Sequence, residues 1–191
     1  GRNACDSTLA NGGRNVVIGS GAEVAANNGY ENVIGYGVVG YNSDRTTLGA
    51  GSNKIWASNG SNTWGQSSDE RIKKNIVNST AGLSVINDLT PRKFNFRKEG
   101  ELPTDHPDYV ENGTEYVRKT DKLQLGFIAQ EVKTVIDNHP EIAEGTTLWD
   151  EGLDGYQSLA DTALIPILVK AIQELSAKND ALEARIATLE G

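Results

Sequence analysis

Two residues near the middle of the chain have side chains whose types and spacing could cut a peptide bond. Ser68 carries a hydroxyl, and Lys73, five residues later, carries an amine. A serine hydroxyl becomes a nucleophile only when a nearby group accepts its proton, and a neutral lysine amine is one such group. One interpretation of the pair is therefore a Ser-Lys dyad that would cleave the chain's own backbone.

This dyad has two requirements. An exposed lysine, with a pKa of about 10.4, is protonated at pH 7, so it must be desolvated or crowded by other cations to act as a base. Arg71 and Lys74 are the candidates for that crowding. Residues five apart lie on different sides of a helix and on opposite faces of a strand. The dyad therefore requires a bend at Ser68 or a lysine from another chain.

The reach of a serine side chain favours the bond before it as the scissile bond. The Oγ of Ser68 reaches the carbonyl of Ser67 through a five-membered ring, whereas attack on its own carbonyl would need a strained four-membered ring. We therefore favour cleavage between Ser67 and Ser68. Cleavage between Ser68 and Asp69 stays open if a serine of another chain attacks.

The same residues have a second interpretation as a helix start. Ser67 and Glu70, three residues apart, form a capping box, and Asp69 and Glu70 would complement the dipole of the first turn. Local pattern alone favours this interpretation. Ser67 would then cap a helix, and Ser68 would have no chemical role.

Four ordered blocks of sequence reverse that preference. Residues 68–76, SDERIKKNI, resemble the opening signature of the peptidase S74 family, the intramolecular chaperone domain of phage endosialidase tailspikes and tail fibres. The resemblance continues through residues 82–94, 125–132 and 163–175, and covers roughly residues 66–190. It implies a domain that holds three chains in register while a β-structured part folds, and that then severs itself. Transferred by position, Ser68 is the nucleophile and Lys73 the base.

Residues 1–66 are rich in glycine and asparagine and contain a repeat. Short apolar runs, each closed by a glycine, occupy residues 15–19, 32–35 and 46–49. Such runs predict strands that stack at a constant period, and each is too short to bury its own apolar face. We therefore expect a β-solenoid or a triple β-helix-like fibre tip. The stretch resembles the head repeats of trimeric bacterial adhesins and the shafts of phage tail fibres.

Residues 35–40, GYGVVG, match the fingerprint of a dinucleotide-binding loop. That fingerprint needs a helix directly after it, so that a pyrophosphate can sit at the helix N-terminus. Residues 41–44, YNSD, instead predict a turn. The repeat already accounts for these glycines, so a nucleotide-dependent enzyme is disfavoured.

Residues 67–155 predict a small α+β body. We expect a helix around residues 82–89, strands around 93–97 and 123–128, and a helix over 130–138 ended by Pro140. Residues 98–120 predict a polar loop or hairpin. Asp150, Glu151 and Asp154 lack the spacing of a calcium loop and are interpreted as a solvated acidic turn.

Residues 156–191 contain an unbroken heptad pattern that predicts a trimerisation coiled coil. The a positions are Ile165, Ile172, Asn179 and Ile186, and the d positions are Leu168, Leu175, Leu182 and Leu189. Asn179 would fix register and oligomer state at some cost in stability. The alternative is an amphipathic helix on the core of its own domain. Because β-branched a positions with Leu at d favour two strands in isolation, the trimer rests on the resemblance and on the fibre-like repeat of residues 1–66, and not on these heptads.

Composition removes several other classes of function. The net charge is −8, carried by the part after residue 66, which argues against binding of duplex nucleic acid. One cysteine, Cys5, and two histidines give no disulfide framework and no zinc cluster, and no apolar run approaches the roughly 20 residues of a membrane span.

The sequence thus predicts an intertwined α+β homotrimer with three parts: a fibre tip (1–66), a chaperone body (67–155) and a coiled coil (156–191). Its predicted function is to trimerise and fold a tail fibre or spike and to release itself by a single cleavage, without cofactor, metal, nucleic acid or membrane. The fibre would lie in the virion, and the chaperone part would be made in the host cytoplasm and shed. The alternative is a non-catalytic trimeric fibre end or a receptor-binding adhesin tip.

Overall fold

The computed structural model describes Arg2, Ala4 and residues 14–25, 29–143 and 146–190. Cys5 lies outside these residues. The chain divides into two units, residues 1–76 and 77–191. The fold is mixed α+β with small sheets and a C-terminal helix, which confirms that part of the predicted fold class. The division into residues 1–66, 67–155 and 156–191 stays a prediction.

The first unit is built on one five-stranded sheet in sequence order. Its strands are β1 (Val16–Ile18), β2 (Asn32–Tyr36), β3 (Arg45–Ala50), β4 (Asn53–Ser58) and β5 (Gly65–Gln66). The first three strands run parallel, and the last two pairings are antiparallel. Ile18 pairs with Ile34, and Ile34 with Leu48, so the repeat found in the sequence is the register of the sheet.

One face of this sheet is buried by the loops that connect its strands. Val33 and Thr47 point to that face, and Ala22, Val24 and Val38 from the loops complete the small core. The described residues show an open sheet, with neither a closed barrel nor a complete solenoid. The predicted fibre-tip architecture is therefore taken up below as a proposal.

Glycine closes each repeat because the strands approach too closely for a side chain. A Cβ on Gly19 would lie 1.8 Å from the carbonyl oxygen of Gly35, and a Cβ on Gly35 would lie 1.7 Å from that of Gly49. Both Gly19 and Gly35 also have positive φ, at 126° and 145°. L-residues with a side chain rarely adopt this conformation. The glycines are thus a requirement of the parallel stack.

The glycine-rich residues 35–40 are part of this stack. Gly35 lies in β2, and Val39 forms a bridge with Glu23. Residues 41–50, all of them described, form a turn and then β3. No helix follows Gly40, so the condition for a dinucleotide-binding loop is not met here.

The second unit combines four helices with two small antiparallel sheets. The helices are α1 (Leu83–Asp88), α2 (Ala129–Asn138), α3 (Pro140–Ala143) and α4 (Leu164–Glu190). The strands are β6 (Arg92–Phe94), β7 (Gln124–Gly126), β8 (Trp149–Glu151) and β9 (Gln157–Leu159), paired β6 with β7 and β8 with β9. The core residues come from all four helices and the loops beside them: Ala81, Val85, Leu89, Val132, Ile136, Ile142, Leu148, Leu164 and Ile167.

Most predicted elements of the second unit are present with shifted ends. Both predicted strands, around 93–97 and 123–128, are confirmed but shorter. Pro140 was expected only to end a helix, and it also begins α3, because proline fits the first position of a helix, where an N–H has no partner. Residues 98–120 form the expected loop, closed by a bridge between Lys98 and Tyr116. Asp150 and Glu151 lie exposed on β8.

His139 joins three elements of the second unit through a nearly buried imidazole. Its Nε2 lies 2.8 Å from Oδ2 of Asp88 at the end of α1, and its Nδ1 lies 3.0 Å from Oε1 of Glu141 in α3. Hydrogen bonds to these two carboxylates, Asp88 first, raise the pKa of His139. The pairing with His139 in turn lowers the pKa of Glu141.

No helix among the described residues is both long enough and apolar enough to cross a bilayer.

We expect the His139 cluster to make the stability of the second unit depend on pH. The folded-state pKa is raised, so the stabilisation is complete below the unfolded pKa, about 6.5, and is lost as pH rises through the folded pKa. Thermal unfolding at pH 6 to 9 measures this. His139→Gln should flatten the dependence over that range, whereas His106→Gln, the matched control, should leave it in place. An equally steep dependence in His139→Gln would contradict the assignment.

We also expect Gly35→Ala to destabilise the first unit by at least about 2 kcal/mol, because the new Cβ meets backbone at a positive φ. Hydrogen exchange of the β2 and β3 amides measures the loss. Gly37→Asn is the matched control, since Gly37 has φ 56° with open space around it and asparagine tolerates that conformation. Equal protection in the two variants would show that the close approach is relaxed easily.

Candidate functional site

The residues predicted to do chemistry lie in an exposed segment that follows the sheet. We define the junction segment as residues 67–76, and every one of its side chains is exposed. Its only regular structure is a single 3-10 turn, Glu70–Ile72. The helix start predicted from Ser67 and Glu70 is therefore wrong, and Ser67 caps nothing.

Asp69 is the residue that caps this turn. Its backbone is extended, with φ −67° and ψ 137°, and its Oδ1 accepts a hydrogen bond from the N–H of Arg71 at 2.9 Å. The turn closes when the N–H of Lys73 donates to the carbonyl of Glu70 at 2.9 Å. Lys73 is extended again, with φ −112° and ψ 151°. The chain thus makes one tight bend between two extended stretches.

This bend brings Ser68 and Lys73 of the same chain together. The Nζ of Lys73 lies 2.6 Å from the Oγ of Ser68 and donates a hydrogen bond to it. The spacing of five residues had required a bend or a second chain, and the 3-10 turn is such a bend. The distance is within reach for proton transfer between a nucleophile and a base.

Arg71 does not crowd Lys73 as the sequence had predicted. Its guanidinium makes a two-pronged ion pair with Asp69, with Nε to Oδ1 at 2.9 Å and Nη2 to Oδ2 at 2.7 Å. The hydrogen bonds from Arg71 lower the pKa of Asp69, and the charge of Lys73 lowers it further. The same pairing raises the pKa of Arg71. The charge of the arginine is thus compensated by Asp69.

The missing element of the site in a single chain is burial. Lys73 is exposed to water, and Lys74, the other expected source of crowding, is exposed as well. Two large apolar side chains beside it, Ile72 and Ile76, are 68% and 63% exposed. The junction segment has the contacts of a nucleophile and a base, but the surroundings of the base are those of an open surface.

Sequence reasoning missed the part played by Asp69. It had named Asp69 as a neighbour of the scissile bond and as an acidic residue in the first turn of a helix, whereas the structure shows it as the cap and the arginine partner of a short turn. The signal was available, since Asp is a preferred N-cap residue and Arg71 follows at a distance that one side chain spans. The capping box of Ser67 and Glu70 predicted a longer helix, and the cap at Asp69 was therefore not recognised.

The predicted trimerisation residues lie on α4 as one exposed stripe, which we name the seam. Its apolar members are 42–84% exposed, and Asn179 is exposed as well. The members are Ile165, Leu168, Ile172, Leu175, Asn179, Leu182, Ile186 and Leu189.

A different stripe of α4 packs on the second unit. Leu164, Ile167 and Ala171 are buried there, and Glu174 accepts a hydrogen bond from the N–H of Leu83 at 2.9 Å. The alternative of a helix packed on its own domain is therefore correct for this stripe. It does not account for the seam, which stays exposed beside it.

Other kinds of site find little support in the described residues. Among them, no group of three or more His, Cys, Asp or Glu side chains has an arrangement that could hold a metal ion. Two hollows of the second unit, about 550 and 620 Å³, are lined by residues such as Arg92 and Glu131 or Phe94 and Tyr156. Neither hollow is lined by a predicted site residue.

Comparison with known families places the start of the match at the candidate nucleophile. Residues 68–139 match the peptidase S74 family model, described as the chaperone of endosialidase. The match includes the first three of the four blocks on which the resemblance was based and ends before α4. Searches of curated proteins and of solved structures find no match. The segment from Ser68 to His139 is therefore similar to the peptidase S74 family, the chaperones of endosialidase, which agrees with the resemblance found in the sequence.

Proposed function

We propose that this chain is a self-cleaving intramolecular chaperone that trimerises and folds a phage tail fibre or spike. The observation that carries the proposal is the 2.6 Å contact between Ser68 Oγ and Lys73 Nζ, at the residue where the family match begins. A chaperone of endosialidase is a folding factor for a phage tail protein, which supports this setting for the chain. Cleavage needs no cofactor.

The reaction is an acyl shift followed by hydrolysis. The neutral amine of Lys73 takes the hydroxyl proton of Ser68 as Oγ attacks the carbonyl carbon of Ser67. The C–N bond breaks, and the nitrogen of Ser68 takes the proton back from the Lys73 ammonium, which leaves an ester between Ser67 and Oγ of Ser68. Water then supplies a hydroxyl to the acyl carbon and a proton to Oγ. The products end in a Ser67 carboxylate and a Ser68 amine.

Assembly of three chains is the step that would prepare Lys73. Its ammonium is solvated in one chain, and burial in apolar surroundings would favour the neutral amine. Ile72 and Ile76, exposed on either side of it, are the side chains that a neighbouring copy would cover. Covering them removes water from Lys73, so cleavage would follow correct assembly and not precede it.

The Asp69 and Arg71 pair would hold the turn ready for this step. A positioned proton acceptor contributes only when it stays within hydrogen-bond reach of the hydroxyl. The cap and the two-pronged ion pair fix the residues between Ser68 and Lys73. Asp69 and Arg71 thus position the dyad without touching the reacting atoms.

The seam of α4 would hold the three chains in register. An exposed heptad seam with one asparagine is a device that specifies register and oligomer state. The sheet of the first unit would be the end of the β-structured fibre. Once the peptide bond between Ser67 and Ser68 is cut, the fibre is no longer attached to the coiled coil that would let it unwind in register. The assembled fibre is then kinetically trapped.

The alternative is a non-catalytic trimeric fibre end or receptor-binding tip. The full exposure of the junction segment favours it, because an exposed lysine is a poor base. In that case the contact between Ser68 and Lys73 would be an ordinary surface hydrogen bond.

Replacing Ser68 separates the two proposals. The freshly expressed natural sequence should give fragments 1–67 and 68–191, whereas Ser68→Ala should stay whole. Ser67→Ala is the matched control and should still be cut, because its hydroxyl has no part in the reaction. Mass spectrometry of the C-terminal fragment reads the scissile bond: a first residue Ser68 supports the acyl shift, and Asp69 supports attack by another chain. An intact natural chain that is trimeric would contradict self-cleavage.

Replacing Lys73 tests the base. Lys73→Met should abolish cleavage, and Lys74→Met, the same change one residue later, should leave it in place. The time course of fragment formation on a denaturing gel measures both. Equal rates in the two variants would exclude Lys73 as the proton acceptor.

Arg71→Gln should slow cleavage by about tenfold, the effect of about 1.4 kcal/mol on the barrier, because the turn loses its two-pronged ion pair. Arg71→Lys, which keeps the charge, should recover part of the rate. The mass of the assembly, measured by light scattering, should be the same in all three proteins. A natural rate in Arg71→Gln would show that the ion pair does not position the dyad.

A further inference from the structure

Two stripes of α4 have the same spacing, and only one of them packs on the rest of the second unit. We define the docked stripe as the side that packs there: Leu164, Ile167, Ala171 and Glu174. The first part of the seam repeats this spacing one residue later: Ile165, Leu168, Ile172 and Leu175. Neighbouring residues of a helix lie about 100° apart, so a rotation of that size with a shift of about 1.5 Å would exchange the two stripes.

Hydrophobicity does not explain which stripe is docked. The docked stripe contains an alanine and a glutamate, where the seam has isoleucine and leucine at the same steps. Burial of apolar area alone would favour the larger side chains of the seam. The structure nevertheless leaves Ile172 64% exposed, while Ala171 beside it is 4% exposed. A feature that only the docked stripe has therefore decides the choice.

Glu174 makes a contact that a leucine cannot make. Its Oε2 accepts a hydrogen bond from the N–H of Leu83 at 2.9 Å. Leu83 is the first residue of α1, where an N–H has no partner within the helix, and the N-cap residue Gly82 supplies no side-chain acceptor. After an exchange of stripes Leu175 would take the place of Glu174. The partly buried N–H of Leu83 would then lose its acceptor, which is costly.

The glycine at position 82 leaves room for this carboxylate. Gly82 is buried, and a Cβ there would lie 2.8 Å from both carboxylate oxygens of Glu174 and 2.8 Å from Cγ of Lys170. The Nζ of Lys170 lies 3.7 Å from Oε1 of Glu174. The carboxylate is thus held between Leu83 on α1 and Lys170 on its own helix, in the space that a side chain at Gly82 would occupy.

The docked stripe ends at Glu174, and residues 175–190 are all exposed. At the same spacing the stripe would continue through polar or small residues: Lys178, Ala181, Arg185 and Thr188. These residues cannot form the apolar seam of a coiled coil, whereas the seam itself continues with leucine and isoleucine to Leu189. Only one assignment of the two stripes therefore leaves a continuous seam free for other chains.

We propose that Glu174 selects which stripe of α4 docks and thereby keeps the seam free for assembly. The selection works through the hydrogen bond to Leu83, which the docked stripe makes and the seam cannot make. Its consequence for assembly rests on the proposed homotrimer. The choice of stripe is a property of a single chain, so it is measured separately, in a chain that does not assemble.

Thiol labelling of such a chain tests the choice of stripe. The background carries Cys5→Ser, Ser68→Ala, Leu182→Asp and Leu189→Asp, so it has no natural thiol, stays whole and has charges in its seam; light scattering checks that it is a monomer. The two reporters are Ala171→Cys in the docked stripe and Ile172→Cys in the seam. With Glu174 in place, a maleimide should label position 171 at least about tenfold more slowly than position 172, because position 171 is buried.

Removing the carboxylate should exchange the two labelling rates. In Glu174→Ala the hydrogen bond that opposes rotation is lost, so position 171 should label about tenfold faster and position 172 about tenfold more slowly. Glu174→Gln is the matched control. Its amide oxygen still accepts from Leu83, so the order of the two rates should stay as it is with Glu174.

Each other outcome overturns the selection. Unchanged rates in Glu174→Ala would assign the choice of stripe to packing, such as the small size of Ala171. Fast labelling at both positions would show that α4 comes loose and does not rotate. Exchanged rates in Glu174→Gln would show that the hydrogen bond does not select the stripe.

The homotrimer is tested separately, by light scattering of the Ser68→Ala chain with its natural seam. The mass of three chains together with exchanged labelling rates in Glu174→Ala supports both proposals. A monomer at this step overturns the homotrimer and leaves the selection by Glu174 standing.

Discussion

The proposed chemistry of this chain depends on one hydrogen bond, between Lys73 and Ser68, and that bond depends on a bend of three residues. Without the turn at Glu70–Ile72, residues five apart would point away from each other in helix or strand. The turn is held by Asp69, which caps it and clamps Arg71 at the surface. Each component of the site is thus supplied by residues 68–73, with no contribution from a folded core.

Such a local site has an electrostatic property that suits a reaction performed once. In a single chain Lys73 contacts Ser68 while it lies exposed to water and near the negative charge of Asp69. Burial in apolar surroundings is what would favour the neutral form of a lysine. A change of surroundings, and no change of backbone, is what separates the resting site from the proposed active one.

Much of this could be predicted from the sequence, and the failures have physical causes. The glycine-closed runs at residues 15–19, 32–35 and 46–49 predicted strands that stack on one another, and the structure pairs these runs in that order. Ser68 and Lys73 were identified from a motif. The turn between them was not predicted, because Ser67 and Glu70 locally favour the start of a helix. The structure shows that Asp69 instead caps a short 3-10 turn at this point.

The last helix illustrates a second limit of sequence reasoning. Its heptads predicted one apolar stripe, and the structure contains two that lie side by side, one buried on the second unit and one exposed. The pattern was read correctly, but Leu164, Ile167 and Ala171 fall between the seam positions and were not assigned. A helix with two apolar stripes carries two periodic patterns in its sequence, and the stronger pattern makes the weaker one hard to recognise.

The glycine column of the sheet bears on how this protein could change over generations. Every step from β1 to β3 makes the same backbone contact as the step before, with a glycine at the point of closest approach. Duplication or loss of one whole repeat therefore leaves the remaining steps unchanged, while point mutation at the column is penalised at once. The number of repeats is therefore the property that such a lineage could alter at least cost, and point changes would be tolerated better in the loops between the strands than at these glycines.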